Sequence, residues 1–394
     1  MDKIKERVKS LEPEIIELRR DFHMFPELGF QEFETAKKIE TYLENIGLKP
    51  ERVAKTGVTA LLDSGNPGPC LILRADMDAL PVTEENQISY KSKNEGIMHA
   101  CGHDAHMAML LVAAKVLKDN ISSFQGSIKF VFQPNEEIAG AVKMIEEGVL
   151  ENPKVDAAMA IHIWSLIPSG RVSITPGVVM GGLDVFKIKI KGRGGHTGYP
   201  HEAIDPVITA ADIIQNVQTI QTREMNAQKP VIIMFGRING GTKANIIPEH
   251  VELEGTIRFL HAADRDSLKN PTKKFIRICK SVCETHQCSC DIEIEHENIP
   301  LINDENMVTL AKKTAVDVFG NPDIIDHARY IAGEDFSEFS SIVPGVLTFL
   351  GCANPGKKTD IPHHNPKFNI DENVLKKGVE LHVKAALNYL NKLS

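Results

Sequence analysis

Pro69-Cys-Leu-Ile-Leu-Arg74 is a short apolar run closed by an arginine. A strand with one wet face alternates apolar and polar residues, whereas an unbroken run suits a strand buried on both faces. Upstream, Glu14 to Phe25 has helical periodicity and stops at Pro26, which cannot continue a helix. Glu32 to Ile46 forms a second helical pattern, closed by Gly47 where a left-handed residue ends a helix. Downstream, His103 to Leu117 reads as an apolar-rich helix, and Gly126-Ser-Ile-Lys-Phe-Val-Phe-Gln-Pro134 and Val155 to Ile163 read as further strands. Strands separated by helices predict an α/β fold with a mainly parallel sheet and helices on both faces.

The pattern changes after about residue 180. Val185-Phe-Lys-Ile-Lys-Ile-Lys191 alternates strictly, with Phe186, Ile188 and Ile190 on one face and lysines on the other, as in an antiparallel sheet with one solvated side. A helix over 203–221, strands near 231–238 and 249–259, a helix over 263–285 and a strand near 290–296 follow. From about residue 300 the α/β character returns and ends in a helix from Glu372 to Leu393. At 394 residues the chain exceeds what one core usually serves. The expectation is therefore one α/β domain interrupted, from about residue 180 to about residue 300, by a smaller α+β domain.

Composition narrows the function. A net charge of -8 with no basic run argues against nucleic acid or anionic membrane as partner, and no stretch approaches the roughly 20 apolar residues of a membrane span. The N-terminus, Met1-Asp-Lys-Ile-Lys-Glu-Arg7, is charged throughout and lacks the apolar core of a secretory signal. Together with seven scattered cysteines, which fit a reducing compartment, this predicts a cytoplasmic protein. The cluster Cys283-Glu-Thr-His-Gln-Cys288-Ser-Cys290 matches no usual structural-zinc spacing, so buried free cysteine is the expectation there.

The sharpest chemical signal is Met98-His-Ala-Cys-Gly-His-Asp-Ala-His106. Cys101 and His103 flank a glycine that permits a tight backbone path, and a thiolate beside an imidazole can grip zinc or, less selectively, manganese, cobalt or nickel. Buried cysteine with capping histidines is the bland alternative. Phe132-Gln-Pro-Asn-Glu-Glu137 follows a strand, where open α/β sheets place ligands. In extended backbone its adjacent carboxylates would point apart, Glu137 to a metal and Glu136 to general acid/base work on a metal-bound water. A solvated acidic pair is the competing reading. Asp76 and Asp78 stand at the end of a buried strand and need cationic or metal partners. Ile161-His-Ile163 ends another strand, and His363-His364-Asn-Pro366 forms a late loop.

Taken in order, these motifs resemble the M20 metallopeptidase family, more closely its aminoacylase, hippurate hydrolase and auxin-conjugate hydrolase branch. The likeness also covers Arg20-Asp-Phe-His-Met-Phe-Pro-Glu-Leu-Gly-Phe-Gln-Glu32, Asn245-Ile-Ile-Pro248, Gly255-Thr-Ile-Arg258 and Gly333-Glu-Asp-Phe-Ser337. It implies two divalent ions (zinc, manganese, cobalt or nickel) held by Cys101 as a bridge with His103, Glu137, His162 and His364, and Glu136 as the base. His364 is preferred to His363 because the branch carries its ligand directly before Asn-Pro or Ser-Pro. Asp76 and Asp78 occupy positions where other branches have a metal histidine and the aspartate that orients it. The likeness further implies a catalytic domain of residues 1–182 and 298–394 with residues 183–297 forming a lid that mediates homodimerisation, that His196 donates to the developing oxyanion, and that Asn245 and Arg258 anchor the substrate's carboxylate or carbonyl. The implied reaction is hydrolysis of the amide bond of an N-acyl amino acid. The alternatives are a metallocarboxypeptidase or dipeptidase acting on short peptides and, from a different class, a non-catalytic metal or amino-acid binding protein.

Overall fold

The computed structural model describes residues 3–261, 270–320 and 324–392. The chain divides into two compact units, Met1–Gly177 with Ile302–Ala328 and Asp335–Ser394, and Val178–Leu301 with Arg329–Glu334. Each has its own apolar core.

The first unit is built on an eight-stranded sheet. Its order is 50–53, 57–63, 127–133, 70–76, 157–168, 345–353, 172–173 and 324–325. The four central strands are parallel, and antiparallel pairings flank them. Every residue of Cys70–Asp76 and Ser127–Gln133 is buried, which requires cover on both faces. Helix His103–Asp119 is buried around almost its whole circumference, because helices Glu12–Met24 and Leu375–Lys392 pack against it. The final helix does not start at Glu372. Asp371 accepts from Asn373 N at 3.2 Å and caps a 3-10 turn, Glu372–Val374, that leads into it. The parallel register sets Asp76 beside Gln133, and Phe349 beside His162. Residues following these strands therefore gather at one end of the sheet, where open α/β sheets hold ligands.

The second unit carries a four-stranded antiparallel sheet in the order 231–240, 250–259, 182–191, 289–298. Phe186, Ile188 and Ile190 point into a core shared with Ala210, Ile213, Phe275 and Ile278 from two helices. On the other face Lys189 pairs with Glu252 and Lys191 with Asp291. The helix expected over 203–221 is shorter. Asp205 caps it, Pro206 opens it and it ends at Asn216, after which Ile220–Glu224 relaxes into a π turn. The expected onset of the 263–285 helix lies outside the described residues. From Pro271 to Thr285 the chain is helical, capped by Asn270. Cys279, Cys283 and Cys288 belong to this core. No helix among the described residues is long and apolar enough to cross a membrane.

Candidate metal centre

Gly102 adopts φ 92, ψ 13 and turns the chain from Cys101 into the helix that begins at His103. The left-handed conformation is open to glycine at little cost. His103 is fixed from one side, its Nδ1 lying 2.9 Å from the Asp78 carbonyl and 3.2 Å from Asp78 Oδ1. Its Nε2 is buried with no hydrogen-bond partner among the described residues and lies 3.9 Å from Glu136 Oε2. Asp78 also accepts from Glu137 N at 3.1 Å through its other oxygen, so one carboxylate ties the helix start to the Glu136-Glu137 segment.

That segment is a turn, not extended backbone. Asn135 takes φ 55 and donates its N–H to Glu32 at 3.0 Å. The chain then doubles back so closely that a Cβ on Gly140 would lie 1.7 Å from the Pro134 carbonyl oxygen. The turn overrides the alternation expected of a strand. Oxygens of Glu136 and Glu137 lie together with a ring nitrogen of His103 within 4.8 Å of one another.

A second set within the same limit is Cys101, Glu137 and His364. His364 takes φ 63, donates its N–H to the Ala100 carbonyl at 2.9 Å, and places Nε2 3.4 Å from Glu137 Oε1. Its neighbour His363 is committed elsewhere, accepting from Ser165 N at 3.1 Å and packing against Trp164 and Phe368. His162 donates Nδ1–H to the Ile163 carbonyl at 2.6 Å, leaving Nε2 3.7 Å from Cys101 Sγ. The metal ligands expected from the sequence thus fall in one region, though His162 groups with Asp76, His103 and His106 and not with Cys101, Glu137 and His364.

Asp76 and Asp78 have different neighbours. Asp76 receives Arg74 Nη1 at 2.8 Å and the Nδ1–H of His106, while Asp78 faces His103. The sequence reading gave His106 no role, although it sits three residues after His103, on the same helix face. Both its nitrogens are engaged, since Nε2 accepts from Ile163 N at 2.8 Å. It therefore braces Asp76 against the strand that carries His162.

The electrostatics call for a cation. Burial, then Glu137, Glu136 and Asp76, push the Cys101 thiol far above its ordinary value. Burial alone would lower His103, but Asp76, Asp78 and Glu137 more than offset it and raise the imidazole to about 10. Burial and the neighbouring His106 hold His162 well below its ordinary value. A buried thiol among carboxylates, beside a histidine with one nitrogen pinned and the other unpartnered, is the donor set a divalent ion satisfies. The ion's charge supports the thiolate, and a carboxylate behind the histidine orients it.

His196, Asn245 and Arg258 belong to the second unit. His196 pairs in a short ladder with Ile246, accepts from Gly198 N at 3.0 Å and is exposed. It shares with Asn245 a groove of about 860 Å³ floored by Gly194, Gly195 and Asn239–Thr242. Arg258 is not part of that groove. It stands on strand His250–Phe259 and donates to the Ile331 carbonyl at 3.4 Å.

Comparison with known proteins places this geometry in context. The model of peptidase family M20/M25/M40 matches residues 72–388. Thermostable carboxypeptidase 2 of Saccharolobus solfataricus is 38% identical, over 100% of this chain and 99% of that one. N-acetyl-L-cysteine deacetylase of Bacillus subtilis is 38% identical over 93% of this chain and 86% of its own length. The crystal structure of the Bacillus subtilis YXEP protein, described as a dinuclear metal binding peptidase of the M20 family, superposes with a TM-score of 0.84 and 31% identity, covering 97% of this chain and 99% of that one. With the family model spanning most of the chain and relatives matching it nearly end to end, this protein belongs to peptidase family M20/M25/M40.

Proposed function

We propose that the chain is a metal-dependent amidohydrolase that cleaves the amide bond of N-acylated amino acids. The observation that carries this reading is His103, with Nδ1 held by Asp78 and a buried, unpartnered Nε2 beside Glu136. Cys101, His103, Glu137, His162 and His364 would hold two divalent ions. When bound, such ions supply positive charge that polarises the substrate carbonyl and makes water a stronger acid. Glu136 would take the proton of the attacking water and deliver it to the departing nitrogen. Its near-complete burial keeps that carboxylate out of bulk water, where a proton would be lost to solvent. Asp78 would hold His103 in the tautomer that presents Nε2. His196 is the candidate donor to the developing oxyanion, and Asn245 and Arg258 are candidate anchors for the substrate, Arg258 through a bidentate grip on a carboxylate. A homodimer formed through the second unit belongs to the same reading.

The relatives at 38% identity include both a deacetylase and a carboxypeptidase by name, so a carboxypeptidase using the same centre is the second reading. Release of amino acid would be followed from N-acetyl, N-benzoyl and dipeptide substrates, using stripped protein given back zinc, manganese, cobalt or nickel. Metal-restored cleavage of acyl substrates is the expected outcome, and cleavage of peptides alone would select the carboxypeptidase. Glu136→Gln should lower kcat by about 10²–10⁴-fold with metal still bound. Wild-type turnover in that variant would remove Glu136 from the chemistry.

A further inference from the structure

Three residues of the sequence motifs are not among the candidate ligands named above: Arg74, Gln133 and Asp335. They meet in a buried cluster. Arg74 donates from Nε to Gln133 Oε1 at 2.9 Å, from Nη1 to Asp76 at 2.8 Å and from Nη2 to Asp335 Oδ1 at 3.0 Å. Gln133 Nε2 donates to both oxygens of Asp335, at 2.6 and 2.8 Å. Ala141 N donates to Asp335 Oδ2 at 2.8 Å. Arg74, Gln133 and Asp335 are each at most 2% exposed.

The placement of these bonds along the chain is what matters. Gln133 is the last residue of its strand and Ala141 lies in the first turn of the next helix, so Asp335 holds both ends of the turn that carries Glu136 and Glu137. The backbone N–H of Asp335 also donates to Glu136 Oε1 at 3.4 Å. A buried ion pair contributes little net stability after desolvation, compared with apolar packing of the same volume. Its value here is geometric, because a tightly reversing turn with residues at φ 55 and φ 149 needs fixing at both ends to point a carboxylate reproducibly.

We propose that Asp335 is the positioning residue of Glu136: its carboxylate, neutralised by Arg74, clamps both ends of the Glu136 turn while its amide meets the Glu136 carboxylate. The inference rests on the reading of Glu136 as the proton carrier. Asp335 touches no substrate and carries no proton in this scheme, and it acts only through Glu136.

The test is a double-mutant cycle on metal-loaded protein, with kcat, KM and metal stoichiometry measured for Asp335→Asn, Glu136→Gln and the pair. Asp335→Asn should lower kcat about 10-fold or more with KM changed less than about 3-fold and metal content unchanged. In the Glu136→Gln background the same substitution should change the residual kcat by less than about 2-fold, since a residue acting through another has nothing left to act on. Equal losses in both backgrounds would overturn the proposal, showing that Asp335 serves the fold at large. If Asp335→Asn does not fold, Gln133→Met removes one arm of the clamp, and the same cycle applies with a smaller fall. A Glu136→Gln enzyme with wild-type turnover defeats the functional reading and the clamp with it. A crippled Glu136→Gln beside an unimpaired Asp335→Asn defeats the clamp alone.

Discussion

Asp76 and Asp78 are two residues apart and chemically identical, yet their surroundings give them different work. Asp76 is bonded by Arg74 and His106, and burial opposed by His103, His106 and Arg74 leaves its carboxyl well below the usual range. Asp78 reaches both His103 and the amide of Glu137. Asp78→Asn should therefore leave every donor atom present but weaken divalent-metal affinity by about 10–100-fold, the usual effect of losing the group behind a ligand histidine. Titration of the metal against a competing chelator reads this directly, and unchanged affinity would mean that the Asp78 backbone carbonyl alone orients the ring. Much of the candidate centre was legible at this scale because Cys-Gly-His and Glu-Glu keep their donors adjacent in the chain. The division between the two aspartates was not legible, since it depends on partners such as His106 that only the folded sheet brings near.

At the scale of elements, the centre is carried by turns held in uncommon conformations at the ends of very regular strands. The strands were readable because burial on both faces forces an unbroken apolar run. The turn at Pro134-Asn-Glu-Glu137 was missed although Pro134 and Asn135 are turn residues and asparagine tolerates the left-handed φ of 55 that Asn135 adopts, while the close approach at Gly140 shows only in three dimensions. Gly102 makes the clearest test. A Cβ there meets nothing nearer than 3.5 Å, so space is not the obstacle, and the cost of alanine is that of a left-handed backbone. Gly102→Ala should destabilise the metal-free protein by about 1–2 kcal/mol, seen as a lower midpoint in urea. A variant as stable as wild type would show that the turn relaxes to another conformation. Of the eight strands of the first sheet the sequence reading named three, and 50–53, 57–63 and 345–353 escaped it together with 172–173 and 324–325, the last two because two residues carry no periodicity.

At the scale of the whole molecule, stability should depend on pH through buried histidines. His382 lies inside helix Leu375–Lys392 and is 2% exposed. Burial, with His106 adding to it, pushes its imidazole down from 6.5 to about 3. The unfolded chain takes up this proton below about 6.5 and the folded chain does not, so the contribution is complete above 6.5 and is lost as pH falls from there toward 3. Between pH 7 and 5 it amounts to about 2 kcal/mol. Wild type should lose that much more unfolding free energy than His382→Gln over this interval, measured by denaturant titration at both values, and equal losses would assign the sensitivity to other groups. The return of the α/β pattern after residue 300 was visible in the sequence, but not that strand Gly345–Ala353 would pair with strand Ala157–Pro168, a contact no local pattern encodes. That pairing has a consequence during synthesis. As the ribosome proceeds, Cys101, His103, Glu137 and His162 emerge long before His364, and strand 157–168 waits with one edge unsatisfied while the whole second unit is made. An open strand edge invites wrong pairing until strand 345–353 closes it. The full candidate ligand set can exist only after the last strands have been translated.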